Sequence, residues 1–261
     1  MNNNLSADTL QPIHSPVPQK FTLYPAIDIR GGQCVRLLKG DYHQETVYGS
    51  PLEMAAKWVE QGAEWLHVVD LDGAKAGEPR NQDLILDIAR SHNVTVQVGG
   101  GIRSMAQVEM YLKGGIQRVI LGTSAIKNPQ FVYEALAAFG KRIVIGLDAR
   151  DGYVATEGWL ESSATKAEEV ALRLVDQGAQ TFIFTDISKD GTLSGPNVEA
   201  TVRLARTSGA EVIASGGISS LDDLRTLEAQ AEHGVAGAII GKALYQGVFT
   251  LQEALQAVRG A

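Results

Sequence analysis

The chain has 261 residues, 44% hydrophobic and 20% charged, with a formal net charge of −7. That length suits one α/β barrel, and the composition suits a globular core. The acidic balance excludes a general nucleic-acid binder but leaves anionic small molecules open, because backbone N–H groups can hold phosphate.

Cys34 is the single cysteine, so no intramolecular disulfide or cysteine-rich zinc site is expected, and a reducing cytoplasm fits. No run of roughly 18 apolar residues appears, so no membrane span is expected. Residues 1–20 are polar, carry three prolines and lack the apolar stretch of a signal peptide. They read as a disordered tail before one barrel domain over 21–261.

From Phe21 onward, a short apolar run, a turn and an amphipathic helix alternate. Strands are predicted at 21–28, 64–70, 94–99, 117–121, 143–148, 180–186, 211–215 and 236–240. Between them, Ser50-Pro51 with Glu53 predicts a capped helix start. Ser104 with Gln107, Thr165 with Glu168 and Thr250 with Glu253 repeat the capping-box spacing, and Asn128-Pro129 adds a cap followed by proline. Eight such units predict an α/β fold, a (β/α)8 TIM barrel, over an open doubly wound sheet.

The chain also repeats itself. WVEQGAEWLHVVDL at 58–71 resembles LVDQGAQTFIFTDI at 174–187, and VQVGGGIRS at 96–104 resembles VIASGGISS at 212–220. Gly122 matches Gly241, and Asp28 in PAIDIR matches Asp148 in IGLDAR. Four landmarks recur in one order, so the barrel is expected to consist of two repeated half-barrels.

Glycine loops close four of the strands: Gly100-Gly101, Gly122-Thr123, Gly216-Gly217 and Gly241-Lys242. Such loops let backbone approach an anion, and those after strands 7 and 8 are a frequent phosphate site in barrels. The repeat then predicts a second phosphate site after strands 3 and 4, and hence an elongated small-molecule substrate with a phosphate at each end. The plainer reading is that these glycines only make tight turns. Arg103 and Lys242 are placed to add charge to the two sites.

Asp28 and Asp148 end strands 1 and 5, at the barrel face that carries active sites. Two carboxylates approaching from opposite sides suit acid–base work at carbon and oxygen. The plainer reading has each capping a loop or pairing with arginine, as Asp28 with Arg30. Asp70 and Asp186 end strands 2 and 6 and compete for the same roles. Thr185 offers a hydroxyl beside the site, or β-branched packing. His67 lies within strand 2, where a lone histidine is more often packed than functional. Trp159, on the loop after strand 5, is placed to cover a substrate ring or merely to pack the loop. No HExxH, EF-hand, Walker or dinucleotide fingerprint appears, so no metal and no cofactor are expected.

Pro25-Ala26-Ile27-Asp28, Arg36-Leu37, Lys39-Gly40-Asp41-Tyr42, Gly99-Gly100-Gly101-Ile102-Arg103, Gly146-Leu147-Asp148, Gly158-Trp159 and Thr185-Asp186-Ile187-Ser188-Lys189-Asp190-Gly191-Thr192 together resemble the ProFAR isomerase family of histidine biosynthesis. The resemblance runs from about Phe21 to the C-terminus. It implies an Amadori rearrangement of an aminoaldose into an aminoketose without metal or cofactor. It implies Asp28 as base at the ribose C2 proton, Asp148 as acid at the ring oxygen and Thr185 as the hydroxyl near the ribose. Arg36, His67, Arg103 and Trp159 fall among the substrate-binding residues, with Trp159 stacking on the imidazole carboxamide. Two relatives compete. The cyclase subunit of imidazole glycerol phosphate synthase shares the half-barrels but has cysteine where Ala26 stands. A bifunctional isomerase also acts on phosphoribosylanthranilate, and Gly62-Ala63-Glu64-Trp65-Leu66-His67 resembles that branch. No nucleic acid, membrane or protein partner is expected, and a monomer is the default.

Overall fold

A computed structural model describes residues 20–156, 159 and 161–259. The predicted tail falls almost wholly outside the described residues. Each apolar run forms a strand: β1 (Thr22–Arg30), β2 (Trp65–Asp70), β3 (Thr95–Gly99), β4 (Arg118–Leu121), β5 (Ile143–Arg150), β6 (Thr181–Asp186), β7 (Glu211–Ser215) and β8 (Val235–Ile240). They pair in parallel in the order β6-β7-β8-β1-β2-β3-β4-β5. β5 also pairs with β6, from Phe182↔Ile145 to Asp186↔Ala149, and this closes the ring. The fold is the predicted (β/α)8 barrel.

Period-two alternation divides the strands between two cores. Tyr24, Ala26, Ile120, Val144, Ile183, Ile213 and Ile239, with Trp65 against them, fill the barrel interior. The opposite faces, including Ile27, Leu66, Val68, Ile145 and Phe182, pack beneath the helices in the larger core. Burying each such side chain contributes about 1.5–3 kcal/mol relative to exposure, so the strand phase is strongly fixed.

The half-barrel repeat is visible in the connections. β1 continues into antiparallel strands Gln33–Leu38 and Asp41–Gly49, and β5 into Tyr153–Thr156 and Glu161–Lys166. Short helices Ser124–Lys127 and Lys242–Tyr245 follow β4 and β8. The sequence reading missed both hairpins, because segments such as DYHQETVYG are too polar to show a strand pattern. Their pairing carries β1 and β5 two residues past the predicted ends.

Helix starts follow their signals. Ser50 accepts from Glu53 N above Pro51, and Asn128 accepts from Phe131 N above Pro129. Ser104 with Gln107 forms a full capping box, as does Thr250 with Glu253. Ser220 with Asp223 adds one the sequence reading did not name. Thr165 with Glu168 is a correction. Thr165 belongs to strand Glu161–Lys166, helix Ala167–Val175 begins after Lys166 without a side-chain cap, and Glu168 Oε1 instead accepts from Arg203 Nε at 2.8 Å.

Candidate active site

Strand phase sorts the four competing aspartates. Tyr24, Ala26 and Asp28 share the inner face of β1, and Val144, Gly146 and Asp148 share that of β5. Asp28 and Asp148 both line one cavity at the C-terminal ends of the strands, with Thr185, His67 and Trp159. Asp70 is out of phase with His67, and Asp186 with Thr185, so both point outward and neither lines that cavity.

The outward carboxylates hold loops together. Asp70 accepts from Gly73 N (2.8 Å), Arg80 N (2.7 Å), Asn81 N (2.9 Å) and Asn81 Nδ2 (2.7 Å). Asp186 accepts from Ser188 N (2.9 Å), Ser188 Oγ (2.6 Å) and Asn197 Nδ2 (2.7 Å). Each pairs with an asparagine 11 residues later, so the repeat extends to this loop lock. Saturated acceptors of this kind serve structure rather than proton transfer.

Asp28 Oδ2 lies 2.9 Å from Arg36 Nη1 on the returning strand. The arginine partner foreseen for Asp28 was Arg30. Arg30 instead donates to Glu45 Oε2 at 2.6 Å. Burial raises the Asp28 carboxyl pKa, while the Arg36 guanidinium acts to lower it. Among the described residues, no cation bears on Asp148. Its Oδ2 accepts from Trp159 Nε1 at 2.7 Å. Burial raises its pKa, opposed by hydrogen bonds from Trp159 and Thr185. Trp159 also packs on Gly40, where any Cβ would collide with the indole, so the two hairpins meet over the cavity. Gly158 of the family motif lies outside the described residues.

His67 is neutral. Burial, with repulsion from Arg36 and Arg118, pushes its pKa down to about 3. Its Nδ1 lies 3.1 Å from Gln97 Nε2. The sequence reading missed Asp190 as a site residue. It lines the cavity and a second recess beside it. Burial, reinforced by Asp28 and Asp148 and opposed by Arg36 and Lys242, pushes its pKa up to about 6. No repeat could reveal it, because Ala74 stands at the matching place in the first half.

The glycine loops fall at two places. Gly100, Gly101, Gly122 and Thr123 line the main cavity. Gly216, Gly217, Gly241 and Lys242 line the recess, with Arg36 and Asp190. Packing alone explains some of them. A Cβ on Gly100 would collide with the Asp70 carbonyl, and one on Gly217 with the Gly195 carbonyl, both at positive φ. Gly122 differs: φ is not positive, and a Cβ would meet nothing nearer than 3.9 Å. Arg36 crosses Gly241 so closely that any Cβ there would strike it. Arg103 is exposed and lies over Gly77. Lys242 Nζ donates to the Gly191 carbonyl at 2.7 Å, tying two loops at the recess.

The cavity thus carries inward aspartates from opposite strands of two matching half-barrels. The family model described as "Histidine biosynthesis protein" matches residues 22–250. The chain belongs to this family. A relative from Geobacillus thermodenitrificans (strain NG80-2) is 62% identical over 239 residues, 91% of this chain and 98% of its own length. It is named 1-(5-phosphoribosyl)-5-((5-phosphoribosylamino)methylideneamino) imidazole-4-carboxamide isomerase, that is, ProFAR isomerase. A relative from Bacillus subtilis (strain 168) carries the same name at 57% identity over 240 residues, 92% of this chain and 98% of its own. One from Geobacillus kaustophilus (strain HTA426) does so at 61% over 239 residues, with 91% and 98% covered. The family match spans both half-barrels and every cavity residue named above. No described helix is long and apolar enough to cross a membrane.

Proposed function

We propose that this chain is the ProFAR isomerase of histidine biosynthesis, converting an aminoaldose to an aminoketose in the cavity between Asp28 and Asp148. The observation that carries the reading is 62% identity to an isomerase of that name over nearly its whole length. The cyclase and the phosphoribosylanthranilate activity gain no support, since the relatives above bear neither name.

In this reading Asp148 donates a proton to the ribose ring oxygen, the C1–O bond breaks, and the nitrogen lone pair forms a C1=N iminium. Asp28 then takes the C2 proton, and those electrons form the enaminol, which tautomerises to the C2 ketone. Nothing is oxidised by an outside agent, and both protons return through solvent. The surroundings support this division of labour. A cation beside Asp28 favours its ionised form, as a base requires. Among the described residues Asp148 has only neutral donors, Trp159 and Thr185, against the burial that favours its protonated form. Thr185 would hold a ribose oxygen, and neutral His67 would offer a hydrogen bond. The Trp159 indole would leave Asp148 to stack on the imidazole carboxamide.

One phosphate would sit at Gly100, Gly101, Gly122 and Thr123, with Arg103 nearby, and the other at Gly216, Gly217, Gly241 and Lys242, with Arg36 reaching in. Gly122 supports the first site, because no packing or backbone demand excludes a side chain there.

A second reading of the acid has an observation in its favour. Asp190, at about 6, holds a proton closer to neutral pH than an ordinary carboxylate. Loss of turnover in Asp190→Asn with turnover retained in Asp148→Asn would move the acid role to Asp190.

The enzyme is read as a cytoplasmic monomer acting without nucleic acid or membrane. The test of the activity is purified protein supplied with ProFAR, and separately with phosphoribosylanthranilate, with no glutaminase present. Turnover of ProFAR alone is expected. Turnover of neither would overturn the reading.

A further inference from the structure

Tyr245 ends the short helix Lys242–Tyr245 after β8. It occupies a fork in the sheet. β1 pairs with β8 from Thr22↔Gly237 to Pro25↔Ile240. Beyond that point β1 pairs with the returning strand, through Asp28↔Val35 and Ile29↔Cys34. The phenol stands between the diverging strands. Its hydroxyl donates to the Ala26 carbonyl at 2.7 Å and lies 3.1 Å from Cys34 Sγ. A phenol has one proton to give, so the Cys34 thiol is the donor in the second contact. The ring faces Arg36, whose guanidinium carbon is 5.5 Å from the centroid.

One side chain therefore touches β1 two residues before Asp28, the returning strand two residues before Arg36, and Arg36 itself. Its own ring is fixed by Tyr48 at 4.6 Å and by Trp58, edge-on, at 5.6 Å between centroids. Arg36 needs such support. Among the described residues its Nε and Nη1 are buried without a well-aligned hydrogen bond, so the Asp28 ion pair and the Tyr245 face, with the Gly241 backbone that Arg36 crosses, orient the guanidinium.

We infer that Tyr245 is a positioning residue that sets the Asp28–Arg36 ion pair and couples it to the Gly241–Lys242 loop one helical turn away. The inference rests on the reading of Asp28 as the base. It reaches past the residues that line the cavity, because Tyr245 lines neither the cavity nor the recess. A molecule held at Gly241–Lys242 would thereby bear on the orientation of the base without touching it.

The test compares Tyr245→Phe, Tyr245→Leu and a control, Leu136→Ala, which thins the buried core under helix Pro129–Phe139 and leaves the Tyr245 ring cluster intact. Two readouts are needed: kcat and KM for ProFAR across pH, and the titration of the Asp28 carboxyl carbon by NMR. Asp28 is faced by Arg36, Cys34 and Tyr42 from the first hairpin, by Tyr245 from the β8 side and by Asp190 from the loop after β6. Loss of the ring frees Arg36, so in Tyr245→Leu the Asp28 midpoint should rise by about one unit or more. At neutral pH kcat should fall at least about tenfold. Tyr245→Phe keeps the ring and should shift less in the same direction. It also carries the test if the leucine variant does not fold. Leu136→Ala should lower Tm and leave the midpoint in place. An Asp28 midpoint that is the same in wild type and both Tyr245 variants would overturn the inference, and would do so even if ProFAR proved not to be the substrate. Wild-type inactivity on ProFAR would instead defeat the functional reading, leaving the titration to decide the role of Tyr245.

Discussion

Asp28 and Arg36 form an ion pair, Oδ2 to Nη1 at 2.9 Å, between the first barrel strand and the strand that returns from it. The pair joins a proposed base to a cation that also lines the recess holding Gly216, Gly217, Gly241 and Lys242. Both members are well covered, with side-chain exposures of 16% and 11%, so solvent screens the interaction only weakly.

The first consequence is a pH effect. Burial raises the Asp28 carboxyl and Arg36 lowers it, and a base works only when ionised. Activity should therefore fall as pH drops through the Asp28 pKa. Arg36→Gln removes the lowering influence, so the acid limb of kcat/KM should move to higher pH by about one unit or more. A limb that stays in place when pH–rate profiles are compared would detach Arg36 from the base.

The glycines should divide into two kinds. Gly217→Ala drives a Cβ into the Gly195 carbonyl at positive φ, so the barrel itself should be weakened, by roughly 1–3 kcal/mol or more. Gly122→Ala makes only an ordinary contact, 3.9 Å to the Gly146 carbonyl, and should leave the unfolding midpoint unchanged while raising KM for ProFAR. Denaturant melts read beside KM separate the two. Equal KM in Gly122→Ala and wild type would remove that loop from the phosphate site.

Asp70→Ala should harm the fold rather than the chemistry. It strands three backbone N–H donors that now bond the carboxylate, while Asn81 Nδ2 keeps its bond to Asp72. With each unsatisfied buried donor costing about 1–3 kcal/mol, a loss of at least about 3 kcal/mol is expected in urea unfolding. Asp186→Ala should act in the same direction. An unchanged midpoint for Asp70→Ala would contradict the structural role.

His67 makes stability depend on pH in a defined window. Its folded pKa, about 3, lies below the ordinary 6.5. Between those values the unfolded chain binds a proton that the folded chain refuses, so stability falls as pH falls and none is lost above 6.5. From 6.5 down to about pH 5 the contribution is about 2 kcal/mol. His67→Asn should flatten that part of the slope in unfolding measured at each pH. A slope equal to that of wild type would mean that His67 titrates normally.

Much of this site was legible in the sequence, and what escaped did so for physical reasons. Strands are apolar runs, so all eight were placed within two residues. The repeat exposed Asp28 with Asp148, and the paired glycine loops. It also left Asp70 and Asp186 in contention, although period two puts Asp70 and His67 on opposite faces and only one of them could enter the cavity. Strands that are apolar on both faces do not declare which face is inside. The hairpins escaped because their residues are polar. Asp190 escaped because its counterpart is Ala74, and Tyr245 because its counterpart is Ile126. The repeat finds what the halves share, whereas these residues belong to one half only.

The most direct test follows the C2 proton. ProFAR carrying deuterium at ribose C2 is incubated with wild type, Asp28→Asn and Asp148→Asn, and loss of label to water is measured beside product formation. Wild type should release the label and form the aminoketose. Both variants should bind substrate and lose most turnover, with Asp28→Asn releasing no label. Label release at the wild-type rate by Asp28→Asn would contradict its role as the base and, with it, the account of how the two half-barrels share the reaction.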